Sequence, residues 1–262
     1  MKRALLAMGL MLGSVCAEQA DLNAYRTETE TLLKRAKIVE IKDIGQGVTR
    51  PLKVYLKKGD REIKAIFKAV DTNMKVDAKH GKETATRYID SYKSELAAYT
   101  LDKLIGFGQL PPIVERRVKG KKGSLRVWID DVKPRYGLGQ TLPTDDRLDI
   151  WMHTFWLFDY LVYNIDRGTH NVMLASDWSP VNIDNSMTFN TYQSPIRPLY
   201  RFPRRVIANL RALDEKQLRK AMRSYLKRDQ LTALQKRIET VLKAVDERVA
   251  ADGEDTVFFE LN

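Results

Sequence analysis

The sequence predicts an α+β protein in two lobes, a small β-rich lobe with one helix followed by a larger, mostly helical lobe. Three observations predict it. Between residues 38 and 70 apolar and polar residues alternate with glycine turns between the runs, the pattern of half-buried strands. From residue 145 onward apolar residues recur at helical spacing. Between these halves a segment containing Pro and Gly, 134–143, is the best candidate for a hinge. The 262 residues are 44% hydrophobic, enough to bury a core in one large domain or in two lobes.

The chain opens with MKRALLAMGLMLGSVCAEQA. Lys2 and Arg3 form a basic start, and Ala4–Leu12 is an apolar run too short to span a bilayer. Val15 and Ala17 supply small residues for a cleavage site, so residues 1–17 are expected to be a signal peptide. Lipid attachment at Cys16 is the competing reading, but Gly13-Ser14-Val15 is a poor lipidation motif. Cys16 is the only cysteine. The mature chain would therefore hold no disulfide, and it is expected to be exported to a bacterial periplasm or secreted. No later segment is apolar enough to be transmembrane.

Residues 18–37 are expected to form a polar N-terminal helix, and 38–131 the β-rich lobe. Within that lobe, residues 38–70 read as a meander in which Ile66 and Lys68 share one face of a strand. Residues 71–90 read as a polar loop. Residues 91–105 read as a helix with Ala97, Leu101, Leu104 and Ile105 in one stripe, ended by Gly106 and Gly108. A hairpin follows, with Gly120–Gly123 as its tip. The second lobe, 132–262, begins with one or two helices over 145–163 and closes with at least two amphipathic helices over 203–251.

The formal charge is +11, and removing residues 1–17 takes away Lys2 and Arg3 and no acid, which leaves +9. That balance favours anionic partners. The basic residues are spread along the chain, with one cluster at Lys119–Lys122, so dedicated nucleic-acid binding is not expected.

The stretch FDYLVYNIDRGTHNVML, 158–174, carries the chemistry. Val172–Leu174 and Val181–Ile183 read as two short strands joined by a turn, with Asp184 directly after the second. If they pair, Asp166 and Asn171 enter one side of the hairpin's open end and Asp184 leaves the other. Hard oxygen ligands gathered in this way suit Mg²⁺ or Mn²⁺. Asn171 and Asp184 are the natural metal ligands, and Asp166 is placed to orient or deprotonate an attacking hydroxyl. The spacing matches the phosphoryl-transfer template, an Asp five residues before a metal-binding Asn with a second Asp beyond a short hairpin. The competing reading is that these residues cap turns. In the first lobe, Gly45 and Gly47 form a glycine turn, Lys68 ends a strand, and Glu95 lies in the lobe's one helix. A strand lysine that pairs with phosphates and with a helix glutamate belongs to the same template. Arg167 is expected to buttress the loop through a carboxylate. The three histidines show no ligand spacing, and no Gly-x-Ser-x-Gly elbow is present.

At IGQGVTRPLKVYL, AIFK, SELAAYTLDKLIGFGQLPPIVERR, FDYLVYNIDRGTHN, VNIDNSMTF and the C-terminal TVLKAVDERV the chain resembles the atypical kinases of the secretory pathway. These are the Golgi casein kinase and four-jointed types, with HipA-like and lipid kinases as more distant relatives. The resemblance covers most of residues 41–250. It implies a protein-kinase-like fold that uses ATP as donor with Mn²⁺ or Mg²⁺, and a protein or glycan acceptor. It places Lys68 on the phosphate-binding lysine, Glu95 on its helix partner, Asp166 on the catalytic aspartate and Asp184 on the metal aspartate. A nucleotide-binding pseudokinase and an enzyme transferring AMP would present the same residues.

Overall fold

The computed structural model describes residues 15–45, 50–76, 86–134, 145–168, 170–176 and 178–261. Most of the signal-peptide reading and most of the hinge reading therefore lie outside the described residues. The architecture is α+β, a β-sheet part followed by a helical part, as the sequence predicts.

Helix α1, Val15–Arg35, precedes five strands that form one antiparallel sheet. These are β1 (Lys37–Asp43), β2 (Leu52–Lys58), β3 (Arg61–Lys68), β6 (Ile113–Val118) and β7 (Lys121–Val127), in the order β1-β2-β3-β7-β6. Strand alternation sorts their side chains onto two faces. Val54 and Leu56, Ala65 and Phe67, Val114 and Val118, and Leu125 and Val127 fill one core, with Leu33 of the first helix and Ala36 just after it over the sheet. The opposite face carries Lys68, Ser124 and Arg126. Polar though α1 is in sequence, its last turns supply the apolar cover for the sheet.

Residues 71–90, expected as a loop, contain two paired strands, β4 (Asp71–Val76) and β5 (Thr86–Ser91). The sequence hid them because a two-stranded ribbon is wet on both faces. Ile89 is its one buried apolar residue among those described, and Met74 and Tyr88 are exposed. Ser91 then caps α2 (Tyr92–Ile105), its Oγ accepting a hydrogen bond from the Lys93 N–H. Gly106 ends the helix in the left-handed region, φ 67°.

The tip of the β6–β7 hairpin is Lys119-Gly120, both with positive φ (47° and 77°), and not Gly120–Gly123. Two such residues give the twist that a two-residue hairpin turn requires. Gly123 is a strand residue, and a Cβ there would lie 2.2 Å from the Lys68 carbonyl oxygen and 2.7 Å from the Phe67 ring. The neighbouring backbone cannot yield as a flexible side chain would. Gly123→Ala is expected to displace the end of β3 and lower stability by about 1–3 kcal/mol. Urea unfolding of the variant checks this, and an unchanged midpoint would refute it.

Strand β8 (Lys133–Pro134) pairs with β9 (Val172–Leu174), which pairs in turn with β10 (Pro180–Asn182). Residues 147–162 form a single helix, α3 (Arg147–Val162). Helices α4 (Arg204–Ala212), α5 (Glu215–Met222) and α6 (Arg228–Asp252) occupy the C-terminal region. Strand β11 (Phe202–Pro203) lies parallel to β12 (Phe258–Phe259), which follows the short α7 (Glu254–Val257). Leu96, Ala97, Leu101 and Ile105 of α2 belong to the same buried cluster as Leu157, Phe158 and Leu161 of α3, Val206 and Leu210 of α4, and Leu234 and Val241 of α6. Helix α2 is thus set between the sheet and the helical core. No helix among the described residues is long and apolar enough to cross a membrane.

Candidate functional site

Two local structures converge on Lys68. Strand β3 sends Ala65 and Phe67 into the core, so Lys68, between them in phase, faces the other way. Its side chain is 12% exposed. Glu95 lies in the first turn of α2 and is 3% exposed. Lys68 Nζ donates to Glu95 Oε1 at 2.7 Å and to Asp184 Oδ1 at 2.7 Å. Ser124 Oγ, opposite Lys68 in the sheet register, donates to Glu95 Oε2 at 2.9 Å. Both oxygens of a nearly buried carboxylate are thereby satisfied, which a buried charge requires. Burial disfavours the charge on Lys68, but the two carboxylates outweigh it and raise its pKa above the ordinary lysine range.

Asp184 leaves β10 two residues after its last paired position, with φ 57°. Aspartate tolerates that left-handed backbone better than most residues. Its side chain is 37% exposed, and Ser186 Oγ lies 3.3 Å from Oδ1. Burial works against ionisation, and Lys68, through its charge and hydrogen bond, overrides it and holds the carboxyl below its usual pKa.

The loop after α3 is built by short-range hydrogen bonds. Tyr163 ends the helix in the left-handed region, and the Asn164 N–H donates to the Asp159 carbonyl at 2.8 Å. Asn164 Oδ1 accepts from the Asp166 N–H at 3.0 Å, an Asx turn. Asn171 Nδ2 donates to the Asp166 carbonyl at 3.1 Å, and the Gly168 N–H donates to the same oxygen at 2.8 Å. The backbone around Asp166 is held while its carboxylate stays exposed.

Pairing of β9 with β10 sets Val172 opposite Asn182, and the Ile183 N–H donates to the Asn171 carbonyl at 3.4 Å. The loop with Asp166 and Asn171 therefore runs beside the strand that leads to Asp184. Arg167 has the buttressing geometry. Its guanidinium lies 3.0 Å from the Asp159 carboxylate and donates to the Ile183 carbonyl at 2.6 Å, Asn182 Oδ1 at 2.8 Å and Asn185 Oδ1 at 2.9 Å.

Lys68, Glu95 and Asp184 meet directly, and Asp166 and Asn171 share one tied loop alongside. Gly45 is exposed at the end of the first strand, φ 68°, with its N–H donated to Asp43 Oδ1 at 2.9 Å. Gly47 lies outside the described residues. Sequence reasoning missed Ser124 and Ser186, and it missed the buried set Asp159, Asn164, Asn182 and Asn185. One signal for that set was available, the Asn-x-x-Asn spacing at 182–185 beside a loop arginine. Among the described residues no three Asp, Glu, His or Cys side chains converge as a ready-made metal cage.

Neither a described protein family nor a curated protein matches the chain. Solved structures do. A hydra Fam20 structure with sugar superposes at a TM-score of 0.62, with 16% identity over 91% of this chain and 93% of that one. The Golgi casein kinase with Mn and ADP bound superposes at 0.64, with 14% identity over 92% of this chain and 80% of that one. A second structure of the Golgi casein kinase superposes at 0.64, with 14% identity over 90% of this chain and 78% of that one. The chain has the fold of the atypical secretory-pathway kinases.

Proposed function

We propose that the chain is an exported, metal-dependent kinase that transfers the terminal phosphoryl group of ATP to a hydroxyl of a protein or glycan. The observation that carries this reading is the junction at which Lys68 joins Glu95 of the helix to Asp184 beyond the hairpin, at 2.7 Å each. A lysine clamped between a helix carboxylate and a hairpin carboxylate is the part of the phosphoryl-transfer template that turn capping does not require. The fold, and the Mn and ADP bound to one structural neighbour, support the same reading.

Each residue then has a role. Lys68 holds phosphate oxygens, and Glu95 orients Lys68. Gly45 and Gly47 belong to the turn that covers the phosphates. Asp166 accepts the proton of the attacking hydroxyl. Asp184 and the carboxamide oxygen of Asn171 would hold Mg²⁺ or Mn²⁺. The donor set fits such an ion, which commonly takes one or two carboxylates and leaves its other positions to water and substrate phosphates. When bound, the ion supplies charge neutralisation along the phosphate chain. The sugar in the hydra Fam20 structure keeps a glycan among the acceptors. The apolar start of the sequence and its single cysteine support export.

Thermal unfolding of residues 18–262 tests the reading, with ATP and Mn²⁺ or Mg²⁺, beside Asp184→Ala. Ligand at a hundredfold excess over Kd stabilises the native state by about 2.7 kcal/mol, a rise of several degrees in Tm. The rise is expected to need the metal and to vanish in Asp184→Ala. No rise with any nucleotide would return the site residues to turn caps.

A further inference from the structure

Three buried arginines, Arg26, Arg126 and Arg237, and the half-buried Arg167 invite comparison. Arg26 donates to Asp102, Arg167 to Asp159 and two asparagines, and Arg237 to the Leu161, Asn190 and Tyr192 carbonyls. Arg126 is different. It is 9% exposed, and no described residue accepts a hydrogen bond from its guanidinium. A guanidinium carries five N–H donors and no acceptor, and none of the Arg126 nitrogens is among the described side-chain atoms that are both shut off from solvent and without a partner, so its donors reach accessible space.

Its position says what can pair with them. Leu125 and Val127 point into the sheet core, so Ser124 and Arg126 face the other way. Ser124 reaches Glu95 on that face. In the register with β3, Ser124 lies opposite Lys68 and Arg126 opposite Ile66, one step nearer the strand's exit towards the second lobe. Glu95 and Asp184 are the charges that act on Arg126, although it donates a hydrogen bond to neither. Lys68 is already shared by these two carboxylates, so the three groups together carry a net negative charge. Arg126 adds a second positive charge beside Lys68 on this face, in addition to any metal held at Asp184, and it has donors that no described residue takes up.

We propose that Arg126 is a second phosphate-binding cation of the donor site, pairing an oxygen of the nucleotide's phosphate chain beside Lys68. This rests on the donor site proposed above. Arginine suits the task because its planar fork takes phosphate oxygens two at a time.

Titration calorimetry with adenosine, ADP, ATP and inorganic tripolyphosphate, each with Mn²⁺, tests it on wild type, Arg126→Met and Arg126→Lys. Arg126→Met is expected to weaken ATP, ADP and tripolyphosphate by about 10- to 100-fold and to leave adenosine unchanged. Arg126→Lys is expected to recover part of the loss. Equal weakening of adenosine and ATP, or no weakening of either, overturns the proposal. If Arg126→Met does not fold, Arg126→Lys decides by the same comparison of ATP with adenosine. A wild type that binds none of the four probes overturns the donor site itself, an outcome distinct from a wild type that binds and a variant that matches it.

Discussion

Asp166→Asn is expected to slow phosphoryl transfer by about 10²- to 10⁴-fold with nucleotide affinity unchanged. The reasons are geometric. The Asp166 carboxylate is exposed, and the hydrogen bonds that hold its loop use the backbone N–H and carbonyl. The carboxamide keeps the shape and removes the proton acceptor. Asp184→Ala is expected to do the reverse, removing metal-dependent binding before transfer can be asked about. Parallel measurement of turnover and of nucleotide Kd on both variants separates the two roles. Loss of affinity in Asp166→Asn, with affinity kept in Asp184→Ala, would interchange the assignments.

Asp102→Ala is expected to destabilise the fold by about 3–5 kcal/mol. Asp102 is 0% exposed at the end of α2. It accepts hydrogen bonds from the Gly108, Gln109 and Leu110 N–H groups at 3.2, 3.1 and 2.9 Å, and from Arg26 of α1. Removing it leaves three backbone donors and a buried guanidinium without their acceptor. The double variant Arg26→Met with Asp102→Ala should recover part of the loss, because it no longer buries an unpaired charge. Urea unfolding of both single variants and the double closes the cycle. A loss below about 1 kcal/mol for Asp102→Ala would mean that water replaces the lost acceptor.

The legible parts of the site were those whose partners share a short stretch or a repeating phase. Lys68 was readable because strand alternation turns it away from Phe67. Asp166, Asn171 and Asp184 were readable because a three-residue hairpin sets its two flanks side by side. The helix of 92–105 announced itself through its apolar stripe and Gly106. What stayed hidden depends on distant residues. Arg26 looks like any solvated helix arginine until Asp102, 76 residues away, is folded against it. Arg126 reads as a polar position in an alternating strand, and nothing local says that its face is the inner one. The ribbon formed by β4 and β5 buries too little to leave a periodic trace.

One consequence follows from where α2 lies. Its apolar side is embedded among the helices of the C-terminal region, and its first turn is tied to the segment after Asp184 through the Ser91 N–H and the Ser186 carbonyl at 3.0 Å. On its outer side Glu30 of α1 holds Tyr99 at 3.0 Å and Lys103 at 2.7 Å. Swinging Glu95 away from Lys68 would mean dismantling that packing on several sides at once. On the function proposed above, a site assembled in this way would stand ready without a separate activating step, and its output would follow the supply of donor, metal and acceptor.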